Sequence, residues 1–182
     1  SAGVGCYGFK LNNFECIATN ELLLERLDVQ RYNHKCKRES GYICGDITTA
    51  PIQKMLYDEI AWWRDNEGVK QVDVVFATPP CQGMSTANYK KKDEKPRNSL
   101  GVEAIKLIMD IHPKIFVFEN VRAFIKTTCQ DLSGEDMAIG ESIKRNLSGE
   151  YNIEYKIINF KDYGIPSSRP RTIVIGTCKE LH

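Results

Sequence analysis

Six short apolar runs, separated by segments of helical periodicity, constrain this chain more than any other feature. Strands are expected at Phe14–Asn20, Gly41–Gly45, Val72–Thr78, Lys114–Glu119, Ile153–Phe160 and Thr172–Thr177. The middle runs are almost continuously apolar, the pattern of strands covered on both faces. Between them, helices are expected over Leu22–Tyr32, Ala50–Asn66, Ser99–Ile111 and, more weakly, Glu135–Leu147. Ile52, Met55, Leu56, Ile60 and Trp63 share one face of the second, and Leu100, Ala104, Leu107, Ile108 and Ile111 one face of the third. This alternation predicts an α/β fold with a doubly wound, mostly parallel sheet. The short Tyr163-Gly164-Ile165-Pro166 connection between the last two strands suits an antiparallel pair at the sheet's edge.

Composition mainly excludes. A chain of 182 residues, 42% hydrophobic and 27% charged, has the make-up of one soluble globular domain rather than a disordered segment. No run approaches the roughly 18 apolar residues of a membrane-spanning helix, and the opening SAGVGCYGFK is not built like a signal peptide. Seven cysteines include no Cys-x-x-Cys pair, so neither a zinc site nor any other metal is expected, His34 and Cys36 included. Their odd number points to reduced thiols and a cytoplasmic protein. A formal charge of +1 neither favours nor disfavours nucleic acid. The charge-dense segment Asn88–Asn98, with Lys90, Lys91, Lys92, Lys95 and Arg97, reads as a mobile surface loop. The opening Ser1-Ala2-Gly3-Val4-Gly5 looks like a glycine-rich turn after a strand, yet no strand precedes it, so the natural chain is expected to begin earlier.

Ligands of open α/β sheets bind beyond the carboxyl ends of the strands, and residues with chemistry gather there. Gly3 and Gly5 would let the first turn approach a cofactor. Asn20-Glu21 closes one run, where a carboxylate can accept from ribose hydroxyls. Asp46-Ile47 closes the next, where a carboxylate can accept from an adenine amine while the apolar side chain covers the ring. Singly, such residues are often only helix caps or solvated turns; three at successive strand ends point to a nucleoside cofactor without distinguishing a dinucleotide from S-adenosylmethionine. The apolar run Val74–Thr78 then enters Pro79-Pro80-Cys81-Gln82-Gly83. Two prolines stiffen that turn and hold a thiol at the rim of the sheet, where a nucleophile is a better reading than a small buried hydrophobe. Glu119-Asn120-Val121 pushes a carboxyl out of the next apolar run, and burial there is expected to favour its neutral form. Arg169 and Arg171 alternate at the start of the final run, as a solvated turn or as anchors for phosphate or catalytic groups.

In order and spacing, Gly3/Gly5, Asn20-Glu21, Gly45-Asp46-Ile47, Pro79-Pro80-Cys81-Gln82-Gly83, Glu119-Asn120-Val121 and Arg169-Pro170-Arg171 resemble the motifs of the cytosine-C5 DNA methyltransferase family across essentially the whole chain. The resemblance implies a Rossmann-like, S-adenosylmethionine-dependent methyltransferase fold, with residues 1–182 as one catalytic and cofactor-binding domain. It implies catalytic roles for Cys81, Glu119, Arg169 and Arg171. Cofactor contacts would come from Ala2, Gly3, Gly5, Asn20, Glu21, Asp46, Ile47, Pro79 and Leu100, and substrate contacts from Pro80, Gln82, Gly83, Asn120 and Val121. Duplex DNA is the implied partner, with no membrane. The family setting also admits a restriction endonuclease partner in a prokaryotic cytosol or nucleoid.

The chain departs from the pattern in three respects. Ser1 stands where an aromatic is expected, and Ser167 where the family often has Gln. The family's target-recognition region and closing motifs, including a late helix, are not found, so a missing C-terminal region or a second subunit is expected to supply target recognition. A tRNA methyltransferase of the same fold and a non-catalytic cofactor-binding fragment remain as alternatives. A nicotinamide-dependent oxidoreductase is disfavoured for want of a Gly-x-Gly-x-x-Gly turn.

Overall fold

A computed structural model describes residues 3–80 and 94–181. The chain divides into two compact units, residues 1–71 and 72–182.

The first unit runs through a 3-10 turn (Val4–Cys6), α1 (Tyr7–Leu11), β1 (Thr19–Glu21), α2 (Leu24–Tyr32), β2 (Tyr42–Cys44) and α3 (Ala50–Glu67). Strands β1 and β2 are parallel, with Thr19 opposite Tyr42 and Glu21 opposite Cys44. Only the end of the expected Phe14–Asn20 strand joins this ladder, apart from one bridge between Cys16 and Cys36. The reason is local: the Phe14 N–H donates to the Phe9 carbonyl at 3.0 Å, and the two rings meet edge-on with centroids 5.6 Å apart. The segment is thereby folded back on α1. Leu27, Cys36 and Tyr42 form a small core. In α3 the expected apolar face is only partly realised, since Met55 is exposed while Gln53, Glu59 and Trp63 are buried. Glu59 accepts from Trp63 Nε1 at 3.0 Å and from Arg38 Nε at 2.9 Å, so a paired acid replaces apolar contact there.

The second unit contains β3 (Val74–Ala77), α4 (Glu94–Ile111), β4 (Ile115–Val121), β5 (Thr128–Gln130), β6 (Asp136–Ala138), α5 (Ile139–Leu147), β7 (Tyr151–Asn159) and β8 (Pro170–Cys178). Its main sheet has the order β3-β4-β8-β7. Strand β3 is parallel to β4, and β8 runs antiparallel to both β4 and β7. The last two strands are thus the expected antiparallel pair, with β7 outermost. Residues alternate along β4, burying Phe116, Phe118 and Asn120. Ile105 and Ile108 from α4, and Ile139, Ile143 and Leu147 from α5, pack on the phenylalanines, and each of these apolar side chains is 2% exposed or less.

Two expectations need correction. Helix α4 starts at Glu94, not Ser99, so residues 94–98 of the expected loop are helical. Pro96 tolerates this because the first four N–H groups of a helix have no intrahelical partner to lose. The remainder of the expected Asn88–Asn98 loop, residues 88–93, lies outside the described residues. The expected helix from Glu135 begins only at Ile139, and Asp136–Ala138 instead pairs with Thr128–Gln130 as a hairpin. Asp131 closes that turn: its N–H donates to the Glu135 carbonyl and its own carbonyl accepts from Gly134 N, both at 2.8 Å.

Candidate active site

In the first unit, the ends of β1 and β2 lie side by side because the strands are parallel and in register. The Asn20 amide nitrogen donates to the carbonyls of Ile43 at 3.2 Å and Gly45 at 3.0 Å. The Gly45 N–H returns a bond to the Glu21 carbonyl at 3.0 Å. Asn20 therefore acts within the protein, setting where Gly45 and Asp46 leave the sheet. Gly45 adopts φ 144°, and a Cβ on it would lie 2.4 Å from Ile52 Cδ1; both facts require glycine.

The Glu21 carboxylate is buried and accepts from the Leu22 and Leu23 N–H groups at 3.0 and 3.3 Å, at the start of α2. Asp46 is exposed. The Thr48 N–H and hydroxyl, at 3.0 and 2.8 Å, hold its carboxyl below the usual range, so it is an anion at neutral pH. Ile47 is half-buried beside it. Gly3 has φ 85° and its space is closed by Gln30 and Lys35, while Gly5 sits exposed in the following 3-10 turn. Ala2 lies outside the described residues.

In the second unit, the carboxyl end of β4 brings three expected residues together. Glu119 pairs across the ladder with Ile173, and Val121 with Arg171. Glu119 and Arg171 are therefore diagonal neighbours on one face, and Arg171 Nε lies 3.1 Å from Glu119 Oε1. Their side chains are 15% and 24% exposed for Arg171 and Glu119 respectively, so the acid is a half-buried partner of a cation, a pairing that its apolar run does not reveal. On the opposite face, Asn120 is 4% exposed. Its amide donates to the Pro79 carbonyl at 2.9 Å, and its Oδ1 accepts from the Val121 N–H at 2.8 Å.

Asn120 thus fastens the segment after β3 to the end of β4. The apolar spacing around Glu119 does not reveal this tie, although an Asn amid a buried run is its sequence trace. Thr172, opposite Asn120, donates to the Arg122 carbonyl at 3.1 Å and steadies the same strand end. Pro80 is exposed and Pro79 half-buried, as is Leu100 in α4. Arg169 is exposed, with its backbone N–H held by Asn159 Oδ1 at 2.9 Å. Cys81, Gln82 and Gly83 lie outside the described residues. Ser167, the other departure from the family pattern, is exposed in the turn before β8.

Among the described residues, His112, Cys178 and Glu180 bring potential metal ligands within 4.8 Å of one another. Cys178 and Arg171 lie at opposite ends of β8, so this group is separate from Glu119. No helix among the described residues is long and apolar enough to cross a membrane.

The architecture is shared with known enzymes. A solved structure of the Dnmt2 methyltransferase of S. pombe matches with a TM-score of 0.64 at 17% identity, covering 97% of this chain and 48% of that one. The fold is therefore the Rossmann-like α/β fold of methyltransferases. Sequence narrows the class: residues 1–182 match the family described as C-5 cytosine-specific DNA methylase, and the chain belongs to that family. It is 28% identical over 175 residues to the type II methyltransferase M.FnuDI of Fusobacterium nucleatum, covering 96% of this chain and 44% of that protein. It is 31% identical over 183 residues to M1.HgaI of Avibacterium volantium, covering 96% and 47%. The chain spans less than half the length of these relatives.

Proposed function

We propose that the chain carries the chemistry of a DNA cytosine-C5 methyltransferase, acting on a cytosine rotated out of duplex DNA. The observation that carries this reading is the carboxyl end of β4, where Asn120 ties the Pro79 carbonyl to the strand and the adjacent Glu119 pairs with Arg171 on its other face. Cys81, the expected nucleophile, follows Pro79 by two residues in the sequence.

Cys81 adds through sulfur to C6 of the base, and the ring becomes enamine-like and nucleophilic at C5. A thiolate suits this step because it both attacks and leaves well. Glu119 engages N3 and the exocyclic amine, and Arg171 fixes that carboxylate in place. Arg169, exposed on the same approach to β8, serves the DNA backbone or the pocket. Pro80, Gln82, Gly83, Asn120 and Val121 shape the place of the base. After methylation, loss of the C5 proton expels Cys81 and releases the product.

The donors of the first unit fit S-adenosylmethionine. Glu21 and Asp46 are carboxylates at the same ends of paired parallel strands, suited to ribose hydroxyls and an adenine amine, and Ile47 offers apolar cover. Gly3, whose positive φ suits glycine, is assigned to the first turn of the cofactor site, and Pro79 and Leu100 are the contacts assigned to the second unit. When bound, S-adenosylmethionine supplies an electrophilic methyl group. Recognition of the DNA sequence is assigned to a further region or a second subunit, because the relatives are more than twice as long as the stretch they share with this chain. The type II names of the relatives fit a restriction–modification setting with a partner endonuclease in a bacterial cytoplasm.

The test is covalent trapping of the full-length protein on duplex DNA containing 5-fluorocytosine, with S-adenosylmethionine present. A denaturation-resistant adduct that maps to Cys81 and is lost in Cys81→Ser is expected. Cofactor binding without an adduct would overturn the catalytic role, and adduct formation on tRNA alone would move the substrate from DNA to RNA.

A further inference from the structure

In the first unit, two cysteines that the proposed methylation chemistry does not use stand face to face. Cys16 and Cys36 occupy paired positions in a parallel bridge, and their sulfurs are 3.6 Å apart. Strand neighbours lie about 4.8 Å apart, inside the roughly 4.4–6.8 Å Cα window in which a disulfide closes without moving backbone. The Cys36 backbone is clamped: its N–H donates to the Tyr42 hydroxyl at 2.8 Å, and that hydroxyl donates to the Cys36 carbonyl at 3.2 Å.

The two thiols are unequal. Cys36 is 7% exposed, whereas Cys16 is only half-buried. The S–H received from Cys36 holds the Cys16 thiol down at about 7 against the effect of burial, with the Lys35 ammonium contributing. Lys35 is itself fixed by Thr19 Oγ1 and Gln30 Oε1 at 2.9 and 3.0 Å. Cys36 is pushed up by the same sulfur contact and by burial. A reachable thiolate beside a shielded thiol is an attacking and resolving pair.

We propose that Cys16 and Cys36 form a reversible oxidation site whose co-substrate is a peroxide. The Cys16 thiolate attacks one peroxide oxygen, the O–O bond breaks, and water departs after protonation, leaving a sulfenic acid on Cys16. The Cys36 sulfur then attacks the Cys16 sulfur, the S–O bond breaks, and the Cys36 proton leaves with the hydroxyl as a second water. Two thiols are oxidised by two electrons and one peroxide is reduced to two waters; a dithiol reductant reverses the change. The bond ties the approach to β1 to the approach to β2, upstream of Glu21 and Asp46 on each strand.

The experiment is hydrogen peroxide titration of the full chain in a Cys81→Ser background, followed by alkylation and peptide mapping without reduction. A Cys16–Cys36 cross-link is expected at near-stoichiometric peroxide, and dithiothreitol should restore both thiols. Cys36→Ser should instead leave Cys16 as a sulfenic acid captured by dimedone, while Cys6→Ser and Cys44→Ser should leave the cross-link intact. Full alkylation of both cysteines after peroxide, or cross-links that join other thiols equally often, would overturn the proposal. Neither result bears on methylation, because the trapping test reads a different residue.

Discussion

Replacing Asn120 by alanine tests the joint between the β3 exit and β4. The side chain is 4% exposed and makes two bonds, to the Pro79 carbonyl at 2.9 Å and from the Val121 N–H at 2.8 Å. A net contribution of about 0.5–1.5 kcal/mol for each of the two bonds, plus about 1–3 kcal/mol for a backbone group stranded away from water, gives a loss of roughly 2–6 kcal/mol. Asn120→Asp separates the two halves: it keeps the acceptor for Val121 but points an oxygen at the Pro79 carbonyl. It should lose the Pro79 tie with little change in volume. Both tryptophans, Trp62 and Trp63, belong to the first unit, so fluorescence would miss the change. The assay is amide hydrogen exchange across β4 and β8 under increasing urea, with covalent trapping on 5-fluorocytosine DNA as the functional readout. Both variants should trap more slowly, because Cys81 follows the released segment. An Asn120→Ala protein within 0.5 kcal/mol of the parent, trapping at the parental rate, would refute this account of the joint.

Glu119→Gln should slow methyl transfer by about two to four orders of magnitude, the usual range for a lost acid–base group, with cofactor affinity unchanged in a binding titration. Asp46→Ala should weaken S-adenosylmethionine binding by about tenfold, near one charge-assisted hydrogen bond; an unaltered dissociation constant would remove that assignment. Gly176→Ala places a methyl 2.0 Å from Phe116 Cε1 and should cost about 1–3 kcal/mol of overpacking in urea denaturation. Asp131 gives a pH test. Burial pushes its carboxyl up, but bonds from Ser142, Ser133 and Asn146 outweigh that and leave it below the ordinary value. Its stabilisation is therefore complete above about pH 4 and is lost as pH falls through the lower folded value. Asp131→Asn should be less stable than the parent near neutrality, and the gap should shrink in acid; a constant gap would contradict the assignment.

Local pattern by itself determined the α/β class, the central apolar strands, and the carboxyl ends where Glu21, Asp46 and Glu119 would emerge. These depend on side-chain period, turn chemistry and apolar runs, all of which are short-range. The motif order was enough to suggest the family. Local pattern misled at Phe14, which turns back onto Phe9, and at Pro96, which reads as loop but suits a first helical turn. It also missed the β5–β6 hairpin, whose register is set by the Asp131 turn.

Only tertiary structure decided that Glu119 faces Arg171. The pair exists because β8 runs antiparallel to β4 in a register that sets them on the diagonal, and residues 52 positions apart carry no local mark of that alignment. The same holds for Asn120 with Pro79 and for Cys16 with Cys36. Sequence periodicity can tell which residues reach a strand end or a buried face. Which two of them meet there depends on strand order and register, which are settled by the packing of the whole sheet.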